Sequence, residues 1–598
     1  MRASGARTWL PLVAIILLFL GLGVTYNLTV PFWEAPDETG HFGNVWYIAT
    51  HRALPTPGTF YTWHQSPLYH ILAAAVVSWV DMPDLLTWTR YNPDASTVSA
   101  RGEVNVALHT VREWPPYRDV PLGVHLARGV TLLFGALTVG LSYLLARRLF
   151  PGQLWVAIGA AGLMAFNPQF IFMSAAVQND VPLAAAFALT LLPASVILQG
   201  DVRRRQFLAL GALVGLAILF KQSGAVLMGL AGGVVAWAAW RARSWRHLFV
   251  WTAVTLLGLM TVAGPMYARN MLRYGDPFAY KVYESLHPAT LGVTLGDINL
   301  RSLLAFANTM HRTFWGTFGW ANLPMPQPVY LALWLIYPLG WWGVGRYLRR
   351  TRTAQVRGGW PVIGLLLGGM ALVWAFTLQY VLGFGAFGVQ GRYLFQMISA
   401  HALLISLGLC SLLPGRAQPV PLILVLVGLL GLAAWAPTGL IAPSYEYLGD
   451  TPEIIEDLPY LRTEVFGDTF ELIGYRAKAD LESGRLQVTL YWRALATPDA
   501  DYTMFVHLLN GHGQRLSQHD RQPLDGHFPT SLWRVGDVMH TTHNLQASAD
   551  CLKSPPCYLA VGVYDWQTGQ RLPVTRGQSE HDAVLLTEFG ADLGLPKR

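Results

Sequence analysis

The chain has 598 residues, of which 53% are hydrophobic and only 13% charged, and this excludes an ordinary soluble globule. Its formal net charge of +7 would suit a nucleic-acid binder, but the basic residues fall in short clusters between apolar runs. That placement reports membrane topology and not a nucleic-acid partner.

About 20 predominantly apolar residues are needed to cross a bilayer. The first such run, 9–30, follows Arg2 and Arg7. It is long for a signal peptide and no small-residue cleavage site follows it, so it reads as a retained anchor. The segment 31–120 is expected to stay outside as one external loop. Within it the apolar run 67–77 is short and bounded by Asp81, which fits a juxtamembrane helix. Further spans are expected at 122–146, 153–173, 182–199, 206–221, 222–240, 248–268, 328–348, 360–382, 393–413 and 419–436, making about eleven crossings in all.

The charges set a direction for this path. Arg147 and Arg148, then Arg203 to 205, Arg241, Arg243 and Arg246, Arg346, Arg349, Arg350, Arg352 and Arg357, and Arg416 mark the inner loops. Glu34, Asp37, Glu38, Asp81, Asp84, Asp94, Glu103, Glu113 and Asp119 collect outside. The expected topology is therefore a multi-pass cell-membrane protein with a cytoplasmic N-terminus, and 31–120, 174–181, 265–327, 383–392 and the tail outside. From about 437 the pattern changes to stretches rich in β-branched and aromatic residues, such as 485–492, 502–509 and 558–564, separated by Gly, Asn, Asp and Pro. Two domains are expected: a transmembrane domain over 1–436 and an extracytoplasmic β-sandwich over 437–598. Cys410 reads as a packing residue. Cys551 and Cys557 flank a Ser-Pro-Pro turn and suit a local disulfide outside the membrane, with a reduced pair as the alternative.

Four external elements carry groups able to do chemistry. Asp37, Glu38 and His41 follow Pro36; on a helix the three share a face and suit proton transfer or metal ligation. The plainer account is a helix first turn whose acids favour the dipole. Asp180, after Asn179 and before Pro182, lies at an outer mouth between two spans, where it serves either the site or a helix cap. His64, Gln65 and Tyr69 open the juxtamembrane helix. Gln390, Arg392 and Tyr393 precede a span, and an arginine there suits bidentate contact with phosphate. Lys221 is a second cation at this face, with snorkelling as an equal account; Arg269, Asn270 and 274–277 belong to the same surface. No Walker loop, dinucleotide fingerprint, zinc spacing or nucleophile elbow stands in a supporting context, so no nucleotide cofactor and no nucleic-acid partner is expected.

The order Pro36-Asp37-Glu38-x-x-His41-Phe42, Ser66-Pro67-Leu68-Tyr69, Ala127-Arg128 leading to 143–150, and Asn167-Pro168 to Asn179-Asp180 resembles the GT-C class of membrane glycosyltransferases. Within that class it is similar to the dolichyl-phosphate-mannose–protein mannosyltransferase-like family, which also takes in the bacterial aminoarabinose transferase of lipid A. The resemblance covers about 9–200, and 390–393 extends it.

It implies a GT-C-like polytopic helical fold and transfer of a sugar from a polyprenyl-phosphate donor to a hydroxyl on a protein, lipid or glycan acceptor. It makes Asp37 the base, gives Asp180 a positioning role and sets Arg392 against the departing phosphate, with inversion at the anomeric carbon. Glu38 joins the catalytic set; His41, His64, Gln65, Tyr69, Asn179, Lys221, Gln390, Arg392 and Tyr393 are expected to contact substrate. Where metal-using relatives place a glutamate before the juxtamembrane proline, this chain has His64 and Gln65. Metal dependence therefore stays open, with Glu38, His41 and Asp180 as candidate ligands. The competing readings are a lipid or polysaccharide transporter, favoured by acids spread through the bilayer depth, and a noncatalytic scaffold presenting the β-domain.

Overall fold

The computed structural model describes residues 3–82, 85, 88–93, 95, 105–286, 299–351, 359–384, 389–450, 455–480, 483–547, 551, 557–576 and 582–586. Asp84, Asp94, Glu103, Arg352 and Arg357 of the charge pattern lie outside them. The chain divides into two compact units, one of 1–85 with 118–445 and one of 86–117 with 446–598. The C-terminal boundary of this division lies between Tyr445 and Glu446. The segment 86–117, however, leaves the external loop to join the C-terminal unit, because its polar side chains find buried partners there.

The first unit is helical. Its elements run α1 (Ala3–Thr29), α2 (Glu38–His51), α3 (Leu68–Val77), α4 (Asp119–Leu149), α5 (Leu154–Ala165), α6 (Pro168–Ser174), α7 (Asp180–Leu198), α8 (Arg204–Phe220), α9 (Val226–Arg241) and α10 (Trp245–Tyr274). They continue through α11 (Tyr280–Leu286), α12 (Leu300–Trp315), α13 (Gln327–Trp334), α14 (Ile336–Thr351), α15 (Trp360–Phe384), α16 (Ile398–Ser411) and α17 (Val420–Ala436). Among the described residues eight helices are long and apolar enough to cross a membrane, or nine if one bent pair counts as a single span.

The differences from the expected spans have local causes. The stretch 153–173 is the bent pair: Asn167 and Pro168 break α5 from α6 at 62°, and the Asn167 side chain caps α6 by accepting from the Phe170 amide. The stretch 328–348 divides into α13 and α14, and α8 is only 17 residues long, just short of a comfortable crossing. Large apolar side chains stay exposed along the spans, Leu257 and Met260 on α10 among them, as a lipid-facing surface requires. Inside, small residues let helices touch backbone to backbone. A Cβ on Gly211 of α8 would stand 1.8 Å from the Thr255 carbonyl oxygen of α10.

The second unit contains two antiparallel sheets. One has the order β10-β7-β6-β5-β12, from strands β5 (Tyr460–Phe466), β6 (Phe470–Asp480), β7 (Arg485–Ala494), β10 (Val538–Gln546) and β12 (Val574–Arg576). The other has the order β13-β11-β8-β9, from β8 (Tyr502–Leu509), β9 (Arg515–Arg521), β11 (Tyr558–Asp565) and β13 (Val584–Leu586). Alternation puts Leu486, Val488, Leu490 and Trp492 of one sheet and Met504, Val506, Leu508 and Val561 of the other into one core. Cys551 and Cys557 are disulfide bonded and Cys410 is a buried free thiol.

The early segment belongs to this unit through β1 (His109–Thr110), which pairs in parallel with β4 (Tyr447–Leu448). A short hairpin, β2 (Thr317–Phe318) with β3 (Leu323–Pro324), lies in the helical unit. Arg90 donates to the buried carboxylate of Asp537 at 2.5 Å and to Thr110 at 3.2 Å.

Candidate active site

The chain leaves α1 through a short loop that reverses at two left-handed residues, Trp33 and Asp37, with φ of 69° and 65°. Asp37 is the N-cap residue of α2, but its left-handed backbone swings the side chain away from the helix it precedes. Asp37, Glu38 and His41 therefore do not form the single face expected of a continuous helix.

Glu38 turns into the protein. It is fully buried and receives Arg128 of α4 in a two-pronged pair, Nε to Oε1 at 2.8 Å and Nη2 to Oε2 at 2.7 Å. The Trp33 and Val177 amides donate to the same carboxylate. Arg128 also donates to the carbonyls of Asn27, Val30 and Pro31, so one guanidinium fixes the end of α1 and the loop after it. Glu38 was expected to be catalytic; every contact it makes is architectural.

Asp37 faces the other way and keeps 36% side-chain exposure. Arg392 Nη2 donates to Asp37 Oδ2 at 2.6 Å. The same guanidinium stands 3.9 Å from Asp180 Oδ2, while Lys221 Nζ donates to Asp180 Oδ1 at 2.5 Å. Two carboxylates and two cations, 355 residues apart in the chain at the widest, thus share one cluster. Arg392 Nε and Nη1 and Asp180 Oδ2 are buried without a hydrogen-bond partner among the described residues. Tyr393 lies beside both cations, its ring centroid 5.4 Å from the Arg392 guanidinium and 5.9 Å from Lys221 Nζ.

Local structure explains this convergence. Asn179 precedes α7 and makes Asp180 its first residue, and Lys221 ends α8 where the backbone turns extended. Arg392 sits in the 3-10 turn Gly391–Met397. That turn packs so closely on α12 that a Cβ on Gly391 would stand 2.4 Å from the Met310 oxygen and the Phe314 nitrogen. The Gly391 amide donates to Thr313, which fixes the turn's start.

The remaining expected contacts divide. Gln65 accepts from Asn179 Nδ2 at 3.1 Å, and the His64 ring packs on Tyr283 at 4.1 Å between centroids. Gln390 stands at the start of the 3-10 turn. Tyr69 was expected at substrate, but it is fully buried: its hydroxyl meets Thr131 and accepts from the Gln178 amide. His41 is buried and its ring stacks on His70, with Nδ1 2.9 Å from His70 Nε2. Sequence reasoning passed over His70, Gln178 (whose side-chain Nε2 donates to the Pro36 carbonyl at 2.6 Å) and the anchoring role of Arg128. Arg128 was legible in principle, since an arginine ten residues into a long apolar span is costly without a partner.

Two of the three nominated metal ligands, Glu38 and Asp180, are already engaged by cations. Glu38 is saturated by Arg128 and two amides, His41 Nδ1 is held by His70, and Asp180 already faces Lys221 and Arg392. Among the described residues no three His, Cys, Asp or Glu side chains gather as a metal site would need.

Residues 125–267 match the family model for dolichyl-phosphate-mannose-protein mannosyltransferase. The matched stretch contains Arg128, Asp180 and Lys221; Asp37 precedes it and Arg392 follows it. This is the family that the motif order resembles. No curated protein matches the chain. Among solved structures it is similar to ArnT from Cupriavidus metallidurans bound to undecaprenyl phosphate, at 16% identity and a TM-score of 0.42 over 71% of this chain and 64% of that one. It is also similar to the Archaeoglobus fulgidus oligosaccharyltransferase in complex with Zn and sulfate, at 13% identity and a TM-score of 0.39 over 75% and 55% of the two chains. The chain thus spans somewhat under two thirds of the length of the ArnT it matches.

Proposed function

We propose that the chain is an integral-membrane glycosyltransferase that moves a sugar from a polyprenyl-phosphate donor to a hydroxyl acceptor at the extracytoplasmic face. The observation that carries this reading is Arg392: it holds Asp37 with one nitrogen and keeps two buried N–H groups unspent beside Asp180 and Lys221. Such a fork fits a phosphate oxygen pair. A phosphate drawing Arg392 toward itself frees Asp37 to accept a proton. The acceptor oxygen then attacks the anomeric carbon, the bond from that carbon to the phosphate oxygen breaks with its electron pair going to phosphate, and the hydroxyl proton goes to Asp37. A single displacement of this kind inverts the anomeric centre.

An apolar cavity of about 330 Å³ is compatible with part of a lipid-borne donor. It is lined by Phe306, Trp334, Trp341 and Trp374 together with Leu394 and Met397, the last two from the same turn as Arg392. The matched family, named for a dolichyl-phosphate sugar, agrees with this chemistry. The clustering of polar groups also favours transfer over transport, which would need acids distributed along a path. The test is radiolabelled sugar transfer from polyprenyl-phosphate donors by the purified full chain, wild type against Asp37→Asn. Loss of at least about a hundredfold in rate is expected for loss of a general base; an unchanged rate removes Asp37 from the role.

A further inference from the structure

The His41–His70 pair fixes more than the position of a ring. His70 Nδ1 lies 3.2 Å from the Ser66 carbonyl oxygen. A carbonyl only accepts, so His70 Nδ1 carries the hydrogen, and in a neutral ring His70 Nε2 is then a bare lone pair. His41 Nδ1, 2.9 Å away, must donate to it. His41 Nε2 is left as an acceptor, and it has no hydrogen-bond partner among the described residues. The network thus assigns both tautomers from one backbone oxygen.

Burial keeps both rings neutral. It holds His41 well below the usual imidazole range, with His70, Lys221 and Arg392 adding to the effect and Asp180 opposing it. Burial likewise brings His70 down to about 4, against the Ser66 carbonyl, which raises it. The His41 backbone amide donates to the Asp37 carbonyl at 3.0 Å, one helical turn from the carboxylate that Arg392 holds, and the ring feels the charges of Asp180, Lys221 and Arg392. Apart from Asp37 and Asp180, both engaged by cations, the groups in that cluster are donors. His41 Nε2 adds the uncharged acceptor.

We propose that His41 Nε2 accepts a hydrogen bond from a hydroxyl of the sugar carried on the lipid phosphate, and that His70 is a positioning residue that keeps this nitrogen unprotonated. The inference rests on the glycosyl-transfer reading above and assigns a recognition group to the same site. A sugar one bond from a phosphate held by Arg392 presents hydroxyls as donors, which the cations cannot accept and a bare imidazole nitrogen can.

Two measurements on the full-length protein test it. Nitrogen NMR of histidine-labelled protein in lipid, with His41→Phe to identify the signals, should show His41 Nε2 unprotonated in the wild type; a protonated Nε2 overturns the proposal. His70→Phe should blur that assignment by letting the His41 proton move between nitrogens. The second measurement compares binding of undecaprenyl phosphate with that of the same lipid phosphate bearing mannose, glucose or galactose. His41→Phe should lose about tenfold affinity for the sugar-bearing lipid that the wild type binds best, and none for the bare one. His41→Gln, whose amide oxygen reaches the same place, should recover most of it. Equal losses on bare and glycosylated lipid, or wild-type affinity that ignores the sugar, overturn the proposal. A wild type that binds none of these lipids refutes the transfer reading instead, while the nitrogen spectrum still decides the state of the ring.

Discussion

Replacing Arg128 with methionine tests the architecture beneath the site. The guanidinium and the Glu38 carboxylate are both fully buried, and Arg128 makes two bonds to Glu38 and three to the carbonyls of Asn27, Val30 and Pro31. Removing the cation leaves an uncompensated carboxylate in the interior, a loss of about 3–5 kcal/mol. Glu38 keeps its bonds from the Trp33 and Val177 amides, which places the expected loss toward the lower end of that range. Arg128→Lys should restore only part, because one ammonium cannot span both carboxylate oxygens and three carbonyls. Replacing both Arg128 and Glu38 by methionine should be milder than Arg128→Met alone, since no buried charge remains. Thermal unfolding of the purified protein in one detergent, followed by tryptophan fluorescence, reads all three. An Arg128→Met protein that melts with the wild type, or a double variant no milder than Arg128→Met alone, would refute the clamp.

Arg392→Lys keeps the charge and gives up the fork, so the KM for a lipid-phosphate donor should rise about tenfold or more in a transfer assay while the protein folds normally. Gly391→Ala should displace the Arg392 turn, because its Cβ meets backbone atoms of α12 that cannot step aside; lower thermal stability together with weaker donor binding is the expected pair of results. In the β unit, burial brings His543 down to about 4 from an unfolded value near 6.5. The unfolded chain therefore binds the proton first, and the His543 contribution, complete above about pH 6.5, falls away as pH drops toward 4. His543→Gln should flatten that part of a melting-temperature profile measured between pH 7 and 4. A profile as steep as the wild type's would show that the acid sensitivity lies elsewhere.

Much of the helical unit could be read from hydrophobic run length, and Asp37, Asp180 and Arg392 could be nominated because each flanks an apolar run on the same side of the charge pattern. What sequence spacing misjudged was direction. Helical periodicity gave Asp37, Glu38 and His41 one face, but it assumes helical backbone at every residue, and the left-handed Asp37 sends neighbouring carboxylates to opposite tasks. Tyr69 looked accessible because it begins a short apolar helix; only the tertiary contact with Thr131 shows it sealed inside. The departure of 86–117 from the external loop was equally invisible, since Asp537, the partner that captures Arg90, lies 447 residues further along.

That last pairing orders the birth of the molecule. The early segment is synthesised before most of the helices exist, yet the strands that complete its fold are made near the end of translation. Arg90 and the edge formed by His109 and Thr110 must therefore wait, solvated, until Tyr447 and Asp537 emerge. A chain that stops short of the tail lacks both the carboxylate that Arg90 pairs with and the strand that His109 and Thr110 join.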